Sequence, residues 1–145
     1  MLDVIYVIVG IGFAVTSILI GRKFKLESWL YTPTIMILPL IYIGFAFVGN
    51  SPNAALLELQ YGLPFIALSV LTLLIRNTPI IYLAAVAWLL HGVYDMMHDV
   101  FFINPGVWFW YPALCAGYDI GIGVYLLYAG RQIASGIESL RANPG

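Results

Sequence analysis

Four residues able to do chemistry, His91, Asp95, His98 and Asp99, crowd into the apolar stretch Pro79–Phe102. The spacing i, i+4, i+7, i+8 places all four side chains on one face of a helix. The stretch is long enough to cross a bilayer, where an ionisable side chain costs about 2.5 to 3.5 kcal/mol at the helix centre. A chain that keeps four such groups together in hydrocarbon is expected to use them. Two imidazoles with carboxylates beside them match the ligand set of Zn, Fe or Mn. The i+4 pair His91–Asp95 and the i+3 pair Asp95–His98 are each spaced to chelate one ion. The same groups suit acid–base work, because burial and a neighbouring imidazole tune the proton affinity of a carboxylate.

Of the seven acidic residues, four lie in apolar spans: Glu58, Asp95, Asp99 and Asp119. At a rise of about 1.5 Å per residue, Glu58 and Asp99 sit roughly 6 Å, and Asp95 and Asp119 roughly 12 Å, from the same ends of their spans. Three helices thus carry carboxylates to one half of the bilayer. Each also carries a polar or small-residue stripe at helical spacing. The stripes are Glu58, Gly62, Ser69 and Thr72; Ala84, Trp88, His91, Tyr94, Asp95, His98 and Asp99; and Cys115, Ala116, Asp119 and Gly123. They are expected to converge on one interior site. Asp95, Asp119 and Glu58 are the candidate catalytic carboxylates, and His91, Asp95, His98, Asp99 and Asp119 the candidate metal ligands.

The elements that must hold these residues follow from hydropathy. The chain has 145 residues, of which 62% are hydrophobic and 9% charged, against about a quarter charged in a soluble domain. The fold class is therefore all-α, an integral membrane bundle forming a single transmembrane domain. Five spans are expected, at about 2–21, 29–48, 54–75, 80–103 and 111–130. The first reads as a retained span and not a signal peptide, since it lacks a basic n-region and a small-residue cleavage site. The six basic residues Arg22, Lys23, Lys25, Arg76, Arg131 and Arg141 all fall on one side of a five-span path. The positive-inside rule makes that side cytoplasmic, with the N-terminus out, the C-terminus in and 131–145 a short cytoplasmic tail. Localisation is then the plasma or inner membrane in a bacterial source. Asn104–Tyr111 forms an outer aromatic loop, a belt or a lid. The bilayer is the obvious partner. Gly117 and Gly121 form a small-xxx-small face suited to close helix packing, and so to a homo-oligomer.

Several functions are excluded or disfavoured. No basic, aromatic-interleaved surface points to nucleic acid, and no Gly-rich phosphate loop occurs. One cysteine permits no internal disulfide. Both histidines share one helix face, which argues against bis-His haem within a monomer. His91-xxx-Asp95 resembles the transmembrane HxxxD pair of cation-diffusion zinc transporters over five residues. Those proteins have six spans and a cytoplasmic domain, which this chain lacks. Three readings stay open, of which the first is favoured. It is an outward-facing intramembrane site that binds a divalent transition metal (Zn, Fe or Mn) for catalysis or metal handling. The second is a metal-free acid–base enzyme, or a binder, for an apolar lipid or terpenoid-like small molecule. The third is a structural or accessory subunit in which the polar cluster fixes helix packing.

Overall fold

The computed structural model describes residues 2–75 and 77–142, and they are helical almost throughout, with no strand among the described residues. Seven helices occur: α1 (Leu2–Lys23), α2 (Glu27–Thr34), α3 (Ile37–Val48), α4 (Pro52–Ile75), α5 (Thr78–Met96), α6 (His98–Phe101) and α7 (Tyr111–Ala142). Among the described residues, four helices (α1, α4, α5 and α7) are long and apolar enough to cross a membrane. Their outward faces are apolar: Ile8 and Leu19 on α1, Leu74 on α4, Leu90 on α5 and Tyr128 on α7 are all exposed. The polar residues Glu58, His91, Asp95, His98, Asn104 and Asp119 are buried. Apolar outside with polar inside suits a hydrocarbon solvent and would be perverse in water.

The stretch expected to be one span at 29–48 is two helices. Pro33 lies inside α2, removes one backbone donor and crowds the preceding turn, and α2 ends one residue later. Pro39, by contrast, sits in the first turn of α3, where its missing N–H would have no helical partner anyway. α3 has only 12 residues, about 18 Å of helix against a core of about 30 Å. Two tight turns flank this pair. Lys25 (φ 56°) and Asn50 (φ 52°) occupy the left-handed region. The N–H groups of Leu26 and Ser51 reach back to the Gly21 and Ala46 carbonyls at 2.8 and 2.9 Å. These are Schellman closures of α1 and α3.

α7 lies between α1 and α5, while α4 packs on α3 and α5. A Cβ on Gly10 would overlap the Leu114 carbonyl, one on Gly117 the Val7 carbonyl, and one on Gly121 would meet Ala14. α1 and α7 are therefore parallel and in close backbone contact. The Gly117/Gly121 face, expected to serve a homo-oligomer, is covered by α1 of the same chain, so a second copy would have to use another surface. α5 runs antiparallel to α7, with Gly92 against Ala116 and Asp119 and Gly123 against Leu89. Asn77 caps α5 by accepting the Ile80 N–H at 3.1 Å, followed by Pro79 in the first turn. The helix expected at 111–130 continues to Ala142, into the segment read as a tail, because Ile133 and Ala134 are buried in the core with Ile81 and Leu126. Arg76, used in the orientation argument, and residues 143–145 lie outside the described residues.

Candidate metal centre

His91, Asp95 and Asp119 come together where α5 and α7 cross. Gly92 makes this possible, since its missing side chain lets the backbone of α7 at Ala116 and the Asp119 side chain approach α5 closely. His91 Nδ1 lies 2.8 Å from Asp119 Oδ2 and 3.6 Å from Asp95 Oδ2. All three residues are at most 1% exposed. Among the described residues they are the group whose donor atoms, one from each, lie within 4.8 Å of one another. Two ligand atoms bound at about 2.0–2.2 Å from one ion are at most about 4.4 Å apart. Both His91 pairs meet that bound, and no pair of donor atoms in the group exceeds 4.8 Å. The edge of Phe65 packs on the His91 imidazole, with ring centroids 4.9 Å apart.

The group is under-satisfied. Asp95 Oδ1 and Oδ2, Asp119 Oδ1 and the Tyr42 hydroxyl are buried with no hydrogen-bond partner among the described residues. Buried polar atoms are paired in the great majority of cases, and a buried carboxylate without a donor is costly. Two carboxylates and one neutral imidazole sum to −2, which a divalent cation cancels. The donor set, one borderline nitrogen and hard oxygens, suits Zn, Fe or Mn and leaves coordination positions open.

His98 and Asp99 lie apart from this group. α5 ends at Met96, and Met97 (φ −106°, ψ 6°) breaks the helix before α6. The break turns His98 off the His91–Asp95 stripe and towards α4. His98 Nε2 there lies 2.8 Å from Glu58 Oε1, and its Nδ1 lies 3.2 Å from Asp99 Oδ1. The Asp99 side chain is 80% exposed. Glu58 is fully engaged, also accepting from Tyr94 Oη at 2.9 Å and from Asn104 Nδ2 at 2.8 Å. Asn104 Nδ2 further donates to the Tyr42 carbonyl at 3.0 Å, and its Oδ1 accepts the Gly106 N–H at 3.2 Å, latching the loop before α7 onto α3. The aromatic loop is thus tied at its start, with Gly106 pressed against the Phe45 carbonyl.

Two participants were not singled out in the sequence. Tyr42 stacks on His98 (centroids 4.8 Å apart) and lies 6.4 Å from the His91 ring, between the two clusters. A polar ring at i+3 from Pro39 and i−4 from Ala46, on the buried face of α3, was the available signal. Asn104 looked like a turn residue before Pro105-Gly106. Trp88, on the stripe of α5, is core: its Nε1 donates to the Tyr31 carbonyl at 2.8 Å. Cys115 is buried one turn from Asp119 and stands outside the donor group. No protein-family model, curated protein or solved structure matches the chain.

Proposed function

We propose that the chain is a small polytopic membrane protein that binds a divalent transition metal ion through His91, Asp95 and Asp119, for catalysis or for metal handling. The observation that carries this reading is Asp95, whose two carboxylate oxygens are buried beside His91 and have no hydrogen-bond donor among the described residues. An ion satisfies them and leaves the centre neutral, with the histidine bound as neutral imidazole. Three protein ligands would leave a position for water or substrate. A five-crossing, N-out topology is supported by the parallel α1 and α7. With α5 antiparallel to α7, and α4 joined to α5 by a short turn, α2 and α3 together must return the chain across the bundle. Arg22, Lys23 and Arg131 then share the end opposite the metal centre, which is the cytoplasmic end by the positive-inside rule.

The test is elemental analysis of detergent-purified protein beside His91→Ala and Asp95→Ala. Near-stoichiometric metal in the wild type, lost in both variants, is expected. Metal retained in both variants, or none bound by the wild type after reloading with Zn, Fe and Mn, overturns the reading.

A second reading, acid–base chemistry on an apolar molecule, is favoured by a groove of about 190 Å³ on the outward face between α4 and α5. Phe65, which lines this groove with Leu68, Leu83 and Leu90, is the ring packed on His91. That reading expects a copurified lipid-like molecule that Asp95→Asn releases, and unaltered retention counts against it.

A further inference from the structure

A cavity of about 230 Å³ opens at the end of the bundle where α1 and α7 begin and α5 ends. Its lining includes three carboxylate residues from different elements: Asp3 of α1, Asp99 of α6 and Asp95 of α5. Asp3 and Asp99 are exposed, whereas Asp95 is 1% exposed and has no donor on either oxygen among the described residues. Phe109, Pro112 and Val100 supply apolar wall between them. Among the described residues, no basic side chain lines the cavity. Carboxylates of one sign in a cleft with low-dielectric walls focus the field on cations and raise their local concentration.

We infer that this acidic vestibule is the cation entrance of the protein: hydrated divalent metal ions gather at Asp3 and Asp99 and pass to Asp95, the inner carboxylate shared with the metal centre. The inference rests on the metal-binding reading above and adds to it a route, a side of access and a residue, Asp3, that belongs to neither polar cluster. In the first turn of α1, Asp3 also faces the positive end of the helix dipole. That setting accounts for an acid there, but not for its sharing a wall with Asp99 and Asp95. The ligand class is a small hydrated divalent cation. Asp99 keeps its hydrogen bond to His98 at one oxygen, so it serves the vestibule without leaving the Glu58 cluster.

The experiment follows zinc uptake by chelator-stripped full-length protein in detergent, using stopped flow and a fluorescent zinc indicator to report depletion of free Zn²⁺. Wild type is compared with the double variant Asp3→Asn/Asp99→Asn and with Asp95→Asn. At roughly 20 mM salt the double variant should load about tenfold more slowly than wild type, to the same final stoichiometry. The gap should close towards about 0.5 M salt as the field is screened. Asp95→Asn should fail to load at any salt. Equal loading rates in wild type and double variant overturn the vestibule and leave the metal centre standing. Loss of zinc from the double variant at an unchanged rate also overturns it, since Asp3 or Asp99 would then be a final ligand. A wild type that takes up neither zinc nor, in parallel loading, iron or manganese overturns both readings.

Discussion

Asp95 and Asp119 are a matched pair of buried carboxylates one helix apart, yet replacing each by asparagine should move stability in opposite directions when the protein is stripped of metal. Asp119 Oδ2 makes a 2.8 Å hydrogen bond with His91 Nδ1. A charge-assisted bond of this kind contributes roughly 1.5 to 3 kcal/mol, about twice a neutral one. Asp119→Asn retains an acceptor but loses the charge, a cost of about 1 kcal/mol. Asp95 has no such bond to lose, since both oxygens lack donors and His91 Nδ1 stands 3.6 Å away. Asp95→Asn removes a carboxylate from a low-dielectric site and adds an amide N–H₂ that can donate to the unpartnered Asp119 Oδ1. An unsatisfied buried group costs about 1 to 3 kcal/mol, so a gain of about 1 to 2 kcal/mol is expected. At about 2 to 4 °C per kcal/mol for a chain of this size, Tm should rise by roughly 2 to 8 °C for Asp95→Asn. For Asp119→Asn it should fall by roughly 2 to 4 °C.

The assay is intrinsic tryptophan fluorescence during a thermal ramp, in one detergent, with and without chelator. Adding metal at about 100 times Kd should stabilise the wild type by about 2.7 kcal/mol. Neither variant should show that increment. A metal-free Asp95→Asn protein that melts as far below wild type as Asp119→Asn does would refute the reasoning. Asp95 would then be holding the helices together, and the cluster would be a packing device.

Other perturbations separate the two polar clusters. Glu58→Gln weakens three hydrogen bonds to one carboxylate and should cost about 2 to 3 kcal/mol in thermal unfolding. It should leave metal stoichiometry by elemental analysis unchanged. Trp88→Phe removes the bond to the Tyr31 carbonyl; a loss of about 1 to 2 kcal/mol with normal metal content is expected, and a change in metal content would return Trp88 to the site. Gly117→Val would drive a side chain into the Val7 carbonyl, separating α1 from α7 at a cost of at least about 1 to 3 kcal/mol. Limited proteolysis should then cut α1 preferentially.

Hydropathy alone was enough to place the helical class and most of the long helices, because each apolar stretch is interrupted by a strong breaker such as Asn50-Ser51-Pro52 or Asn77-Thr78-Pro79. The interior stripes were legible for the same reason: Glu58, Gly62, Ser69 and Thr72 recur at helical spacing and are all buried on α4. The split of 29–48 into α2 and α3 was not legible, since prolines are tolerated in membrane helices and two of them six residues apart, Pro33 and Pro39, give no sign of which will break the chain. The partition of the site was also out of reach. His91, Asp95, His98 and Asp99 share a face only if the helix runs unbroken, and Met97, an ordinary helix former, marks the break. What ends α5 there is tertiary: Asn104 and Glu58 hold the segment that follows, through residues 40 or more positions away from their partners.

The degree of satisfaction is what separates the two buried acid clusters in function. Glu58 receives hydrogen bonds from Tyr94, His98 and Asn104, so its oxygens are satisfied by the fold and it ties together α4, α5, α6 and the loop that begins at Asn104. Asp95 sits at comparable burial with no hydrogen bond to either oxygen among the described residues and the His91 imidazole 3.6 Å away. A membrane interior imposes the same desolvation on both, so a carboxylate without a hydrogen bond at Asp95 is costly where a serine or alanine would be cheaper. Under the proposed metal binding, a cation from outside the chain supplies the missing partner, and its size and charge are narrowly bounded. It must reach between His91 and two aspartates whose donor atoms lie within 4.8 Å, and it must carry positive charge. A small cation meets both conditions. Tyr42, stacked on His98 and with its ring centroid 6.4 Å from that of His91, lies between the clusters together with Tyr94, whose ring is 5.7 Å from both imidazoles, so replacing Tyr42 by phenylalanine should reveal whether filling the proposed metal centre is felt at Glu58.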